Sequence, residues 1–334
     1  MMKKVICSLT VALFVLVAVL PGITSAKTLK VGLVTDVGRV DDSTFNEFAY
    51  NGMMRAARDF RIETAFIETH QPSDYEKNIA KFVEEDYDVI ITMGYMVWDA
   101  TQSMARKYPG TQFISVDHAN DPAVENIMGL VFAENEAGFM AGALAAMMSK
   151  TQAIGVVAGI EIPPVIRYRK GYEAGAKYVD PDCEVFGVYI DSFTDPVRGQ
   201  AAALSQMEQG ADVIFGAGGK TGSGAIKFAA QKGAWVIGVD QDEYMTSFMK
   251  GTVPASDHLI SSAMKRVDNA VYQAIETTVK GHFAGGTRVF NIKNNGIGLA
   301  PFHQADPSIS GEIKARLAQI EKMIKSGKIV VPGL

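Results

Sequence analysis

From residue 29 onward, short runs rich in valine and isoleucine alternate with stretches whose apolar residues recur every three or four positions. The runs at 29–34, 64–67, 89–93, 113–116 and 129–132 read as strands, and a second series follows at 153–158, 185–190, 212–215 and 235–239. Between the first two strands, Phe45, Phe48, Ala49, Gly52, Met53, Ala56, Ala57 and Phe60 fall on one continuous helical face, the pattern of a helix laid on a core. Helical patterns at 165–178, 196–208 and 223–231 separate the later strands, and amphipathic stretches fill the other gaps. Strand-helix alternation implies a parallel sheet covered on both faces. Two such series imply an α/β protein of two similar doubly wound lobes.

The rest of the chain connects them. Segment 259–279 has helical period and is expected to recross to the first lobe, 288–292 reads as a strand and 311–324 as a final helix. Lobe 1 is expected to hold 27–131 with about 258–285, and lobe 2 to hold 132–257 with about 286–334. Several crossings make a hinge and a cleft.

The N-terminus is set apart by its pattern. Lys3 and Lys4 precede an apolar run from Val5 to Leu20, closed by Pro21-Gly22 and the small residues Thr24, Ser25 and Ala26. This is the form of a secretory signal peptide cleaved after Ala26; the sixteen-residue run falls short of the roughly 20 that span a bilayer. Cys7 lies early in the run, badly placed to become a lipidated N-terminus, so a soluble, periplasmic or otherwise exported protein is expected. Cleavage leaves Cys183 as the sole cysteine, which excludes an intrachain disulfide and a cysteine metal cluster and suits a small buried apolar residue. About 308 of the 334 residues remain, enough for two full cores. A net charge of −5 argues against nucleic-acid polymers, whose phosphates need a basic stripe.

In open parallel sheets ligands bind beyond the carboxyl ends of the strands. The residues there are Asp36, Gly94 and Tyr95, Asp117, Gly159 to Glu161, Phe215 to Lys220, and Asp240. The turn "DVGRVDDSTFNEFAYNGM" crowds Asp36, Asp41 and Asp42 at a strand-to-helix junction. Asp42 suits a helix cap, whereas Asp36 lies too far upstream to cap that turn and suits an acceptor for ligand hydroxyls or ring N–H groups. Asp240 suits a carboxylate that holds a ribose. Phe45, in the helix's first turn, and Phe215, at a strand end, are expected to face each other and grip a flat heteroaromatic guest.

"FGAGGKTGSG" contains Gly-Lys-Thr before a helix, but Ile214 stands where a phosphate loop needs glycine, and Thr221 breaks the dinucleotide pattern. Gly219 and Lys220 are instead expected to approach a ligand with backbone and helix N-terminal N–H groups. His70, His118, His258, His282 and His303 have no metal-ligand spacing, and no nucleophile elbow is present. No enzymatic activity, metal or cofactor is expected.

"DVGRVDDSTFNEFAYNG", followed in order by "ENEAGFMAGALAA", "IPPVIRYRKGYEAGAKYVDP", "DSFTDP", "DVIFGAGGKTGSGAIKFA", "WVIGVDQDE" and "AMKRVDNAVY", resembles the basic membrane protein (BMP) family. These are substrate-binding receptors of ABC transporters typified by the purine nucleoside receptor. The resemblance implies a type I periplasmic-binding-protein fold whose lobes close on a purine nucleoside, with Phe45 and Phe215 as stacking rings. It further implies Asp36, Thr44 and Asp117 as first-lobe polar contacts, Asp240 and Lys265 as ribose contacts, and a membrane permease as partner; a monomer is expected. Lys265 comes from the resemblance alone. Lys220 stands where the family pattern often has glycine, and Thr44 where serine or asparagine is common. A ligand sensor signalling to a membrane partner and a sugar receptor of the same fold are the alternatives.

Overall fold

The computed structural model describes residues 27–333; the expected signal peptide lies outside the described residues. The first sheet is built from β1 (Lys30–Val37), β2 (Glu63–Thr69), β3 (Val89–Thr92), β4 (Gln112–Val116), β5 (Ile127–Phe132) and β11 (Gly286–Phe290), in the order β11-β5-β4-β3-β1-β2. The second contains β6 (Ala153–Ala158), β7 (Glu184–Tyr189), β8 (Val213–Ala217), β9 (Trp235–Asp240), β10 (Leu259–Lys265) and β12 (Ile297–Leu299), in the order β12-β10-β9-β8-β6-β7. All named pairs are parallel except β10 with β12. The two orders are the same order, so the molecule is two copies of one doubly wound plan.

Helices α1 (Phe45–Phe60), α2 (Tyr75–Glu84) and α3 (Trp98–Lys107) connect the first sheet. Helices α5 (Pro163–Val179), α6 (Pro196–Glu208) and α7 (Gly219–Gln231) do the same for the second, with α4 (Glu134–Met148) and α9 (Gly311–Lys325) packed on the second lobe and α8 (Val267–Val279) against α1. The predicted apolar face of α1 is the one buried, at Ala49, Gly52, Met53 and Ala56. Cys183 is a free, buried cysteine, as expected.

The segment expected to be one helix over 259–279 is two elements. Leu259, Ile260, Ala263 and Met264 mimic helical spacing, but 259–265 pairs with β9 on one side and β12 on the other as a strand buried along nearly its whole length. With both faces covered there is no polar alternation to reveal it. The expected lobe boundaries change accordingly. Strand β10 belongs to the second sheet although 258–285 was assigned to lobe 1, and β11 belongs to the first sheet although 286–334 was assigned to lobe 2. The chain thus passes between lobes three times, after β5, after β10 and after β11.

Helices α4 and α5 pack backbone to backbone. A Cβ added at Gly142 would lie 1.9 Å from the carbonyl oxygen of Tyr172, and one at Gly175 would lie 2.0 Å from that of Phe139. Only glycine permits this approach, and it fixes where α5 carries Arg167 and Tyr168.

Candidate functional site

A cavity of about 350 Å³ opens at the carboxyl ends of both sheets, within the range of about 300–1,000 Å³ common for small-molecule sites. Lobe 1 contributes Asp36 from β1, Thr44, Phe45 and Asn46 from the start of α1, Tyr95 after β3 and Asp117 after β4. Lobe 2 contributes Tyr168 from α5, Phe193 after β7, Gly219 and Lys220 from α7, Asp240 from β9 and Lys265 from β10. Eight of the nine residues expected from the sequence are together here; the ninth is Phe215.

Phe215 is a correction. Its side chain is fully buried, stacked on Tyr172 at 5.1 Å between ring centroids and edge-on to Tyr168 at 6.1 Å. Alternation puts Phe215 and Ala217 on the same face of β8. Ala217 reaches the cavity, but Phe215 lies two residues deeper, about 6.6 Å at the usual rise per residue, where α5 covers it.

The second-lobe ring in the cavity is Phe193, in the β7–α6 loop. Its seat is made by glycine, since a Cβ at Gly159 would lie 2.4 Å from the ring. Its carbonyl accepts a hydrogen bond from Thr221 N–H at 3.2 Å, while Thr221 Oγ1 donates to the Ser192 carbonyl at 2.8 Å. The N-terminus of α7 is expected to offer N–H donors to a ligand; that of Thr221 holds Phe193. Phe193 could have been found by applying the strand-end rule to the 185–190 run, inside the quoted "DSFTDP". Phe45 projects from the first turn of α1, half-buried, in the same cavity.

The three acids of the opening turn separate by role. Asp41 is exposed and paired with Arg39 at 2.8 Å. Asp42 caps α1, accepting from the N–H groups of Thr44 at 2.8 Å, Asn46 at 3.0 Å and Glu47 at 3.1 Å. Asp36 points into the cavity, where burial pushes its carboxyl up to about 6 against the opposing hydrogen bonds from the Tyr75 hydroxyl and Val37 N–H.

Asp117 and Asp240 end matching strands, both with left-handed backbone, φ +73° and +65°. Burial raises both carboxyls, that of Asp240 to about 7, while Lys265 pulls each back down. Tyr168 Oη lies 3.3 Å from Asp240 Oδ1. Lys265 is only 2% exposed, with its Nζ 2.5 Å from Asp117 Oδ1 and 2.9 Å from Glu134 Oε1. Burial disfavours its charge, but the three carboxylates of Asp117, Glu134 and Asp240 outweigh that and raise its pKa. The ammonium also sits 5.1 Å from the Phe45 ring centroid and 5.0 Å from that of Phe132. Lys220 is exposed in the first turn of α7.

Away from the crossings, the lobes are joined by Gln241 Nε2 donating to the Thr44 carbonyl at 2.8 Å and Thr246 Oγ1 donating to that of Ser43 at 3.0 Å. The described residues include no group of His, Cys, Asp and Glu arranged to hold a metal ion, and no helix long and apolar enough to cross a membrane.

Residues 29–334 match the family described as ABC transporter substrate-binding protein PnrA-like. The chain is 31% identical to the ABC transporter nucleoside-binding protein BmpA of Lactococcus lactis subsp. cremoris, over 99% of this chain and 100% of that one. It is 32% identical to a CD4+ T-cell-stimulating antigen of Listeria innocua, over 92% and 89%. Among solved structures, an ABC transporter solute-binding protein from Aeropyrum pernix superposes with a TM-score of 0.82 at 27% identity, covering 91% of this chain and 94% of that one.

Proposed function

The chain belongs to the PnrA-like family of ABC transporter substrate-binding proteins, and from that premise we propose that it captures a purine nucleoside in the cavity between its lobes and delivers it to a membrane permease. The observation that carries this reading is that Phe45 and Phe193, one from each lobe, line one cavity together with Asp36, Asp117 and Asp240. Aromatic rings stack on a planar base at about 1–3 kcal/mol each. Buried carboxylates suit the donors of a sugar diol and of ring N–H groups.

The same carboxylates argue for a nucleoside rather than a nucleotide. A phosphate in the cavity would meet Asp36, Asp42, Asp117 and Asp240 against the cations Arg39, Lys220 and Lys265, and because Arg39 and Lys265 are already paired with Asp41 and Asp117 the lining as a whole favours an uncharged guest. Closing about the three crossings covers the guest and changes the surface offered to the permease. Nothing in this scheme makes or breaks a bond.

The test is thermal unfolding and calorimetry of the mature protein with adenosine, inosine, guanosine, AMP, free bases and ribose. A bound ligand at a hundred times its Kd stabilises by about 2.7 kcal/mol. Stabilisation by nucleosides and not by AMP or ribose is expected. Stabilisation by ribose alone favours a sugar receptor, and release of free base from a nucleoside points to hydrolysis.

A further inference from the structure

Lys265 reaches the cavity from the end of β10, and what holds it there lies behind the cavity wall. Glu134 is fully buried and is the first residue of α4, just past the first crossing between lobes. Its Oε1 lies 2.9 Å from Lys265 Nζ, at the second crossing, and its Oε2 accepts from Arg167 Nε of α5 at 2.6 Å. The third crossing joins the same turn of α4. Ala133 N–H donates to the Phe290 carbonyl at 2.8 Å, and Ile292 N–H donates to Glu136 Oε2 at 2.9 Å. All three connections between the lobes therefore meet at one helical turn, and Glu134 links that turn to the ammonium in the cavity.

We propose that Glu134 is a positioning residue for ligand binding: its carboxylate holds Lys265 on the second-lobe side of the hinge, so that the ammonium stands ready between Asp117 and the guest. This rests on reading the cavity as the ligand site. Glu134 is not among the cavity's lining residues, so its effect on a ligand passes through Lys265. Lys265 has a flexible four-carbon stem, and two carboxylates from different lobes confine it where one would leave it free to swing. The charged groups facing Glu134 are Lys265 and Arg167, with Asp117, Asp240 and the Tyr168 hydroxyl beyond them.

The experiment measures adenosine, inosine and guanosine binding by calorimetry from pH 5 to 9 for wild type, Glu134→Gln and Glu134→Asp. Glu134→Gln is expected to weaken binding by about 10-fold or more. It is also expected to move the pH midpoint of binding up, because the ammonium that pulls Asp117 and Asp240 down is no longer held beside them. Glu134→Asp restores the midpoint. If the single Gln variant does not fold, Glu134→Gln with Arg167→Gln removes one charge of each sign and takes its place.

A folded charge-neutralised variant with wild-type affinity and midpoint overturns the proposal. If wild type binds none of the three nucleosides, the functional reading fails separately. The ligand-free carboxyl titrations of Asp117 and Asp240, followed by ¹³C NMR, then decide the role of Glu134, and unmoved midpoints overturn it.

Discussion

Asp117 and Asp240 are one position seen twice. Each closes the equivalent strand of its sheet, β4 or β9, and each takes a left-handed backbone that turns its side chain into the shared cavity. The cavity lies where two copies of one strand-end design meet, with Lys265 held by the first copy at 2.5 Å.

Asp240 sets a pH dependence with a definite sign. Its carboxyl stands at about 7 in the folded chain against 3.8 ordinarily, so between those values the folded state holds the extra proton. Stability of the ligand-free protein therefore falls as pH rises through that window, by up to about 1.4 kcal/mol per pH unit. Nucleoside affinity runs the other way, rising from pH 5.5 to 8 as the acceptor ionises. Asp240→Asn should flatten both curves; unfolding and calorimetric titrations across pH check each, and an unchanged slope in the variant assigns the effect elsewhere.

The aromatic slot is tested by three alanine variants. Phe45→Ala and Phe193→Ala should each weaken nucleoside binding roughly 5- to 150-fold, the equivalent of one stack. Phe215→Ala should cost about 3–5 kcal/mol of stability, because that ring fills the core beneath Tyr172, yet leave affinity near wild type wherever the protein remains folded. The reverse pattern would restore Phe215 to the slot.

Gly159→Ala should act on the ligand without touching it. The new methyl would lie 2.4 Å from the Phe193 ring, so the ring must leave its seat. A loss of affinity comparable to that of Phe193→Ala is expected, and combining the two substitutions should add little. Full additivity in the double-variant cycle would show that Gly159 acts by another route.

Gln241→Ala removes a buried hydrogen bond between lobes, donated to the Thr44 carbonyl at 2.8 Å. Such a bond contributes about 0.5–1.5 kcal/mol, so the closed state should open and ligand dissociation should accelerate about 2- to 12-fold. Stopped-flow release rates and small-angle scattering of the free protein report this, and unchanged values in both would dismiss the contact as a latch.

Much of this protein was legible along the chain because the information is local. The apolar stripe of α1, the alternation of strand with helix, the Asp42 cap and the carboxylates at the carboxyl ends of β1, β4 and β9 all follow from residues within a few positions of one another. Packing decided the rest. Strand β8 is covered on both faces, so nothing near Phe215 says that α5 lies over it, nor that the ring after β7 reaches the cavity instead. The doubly covered β10 likewise hides its alternation and imitates a helix until its partners are known. Glu134 opens the quoted "ENEAGFMAGALAA", but nothing local marks a role for it: the contact to Lys265 and Arg167 arises only where three distant segments meet at its carboxylate, and long-range contacts of that kind are set by tertiary structure rather than by local sequence.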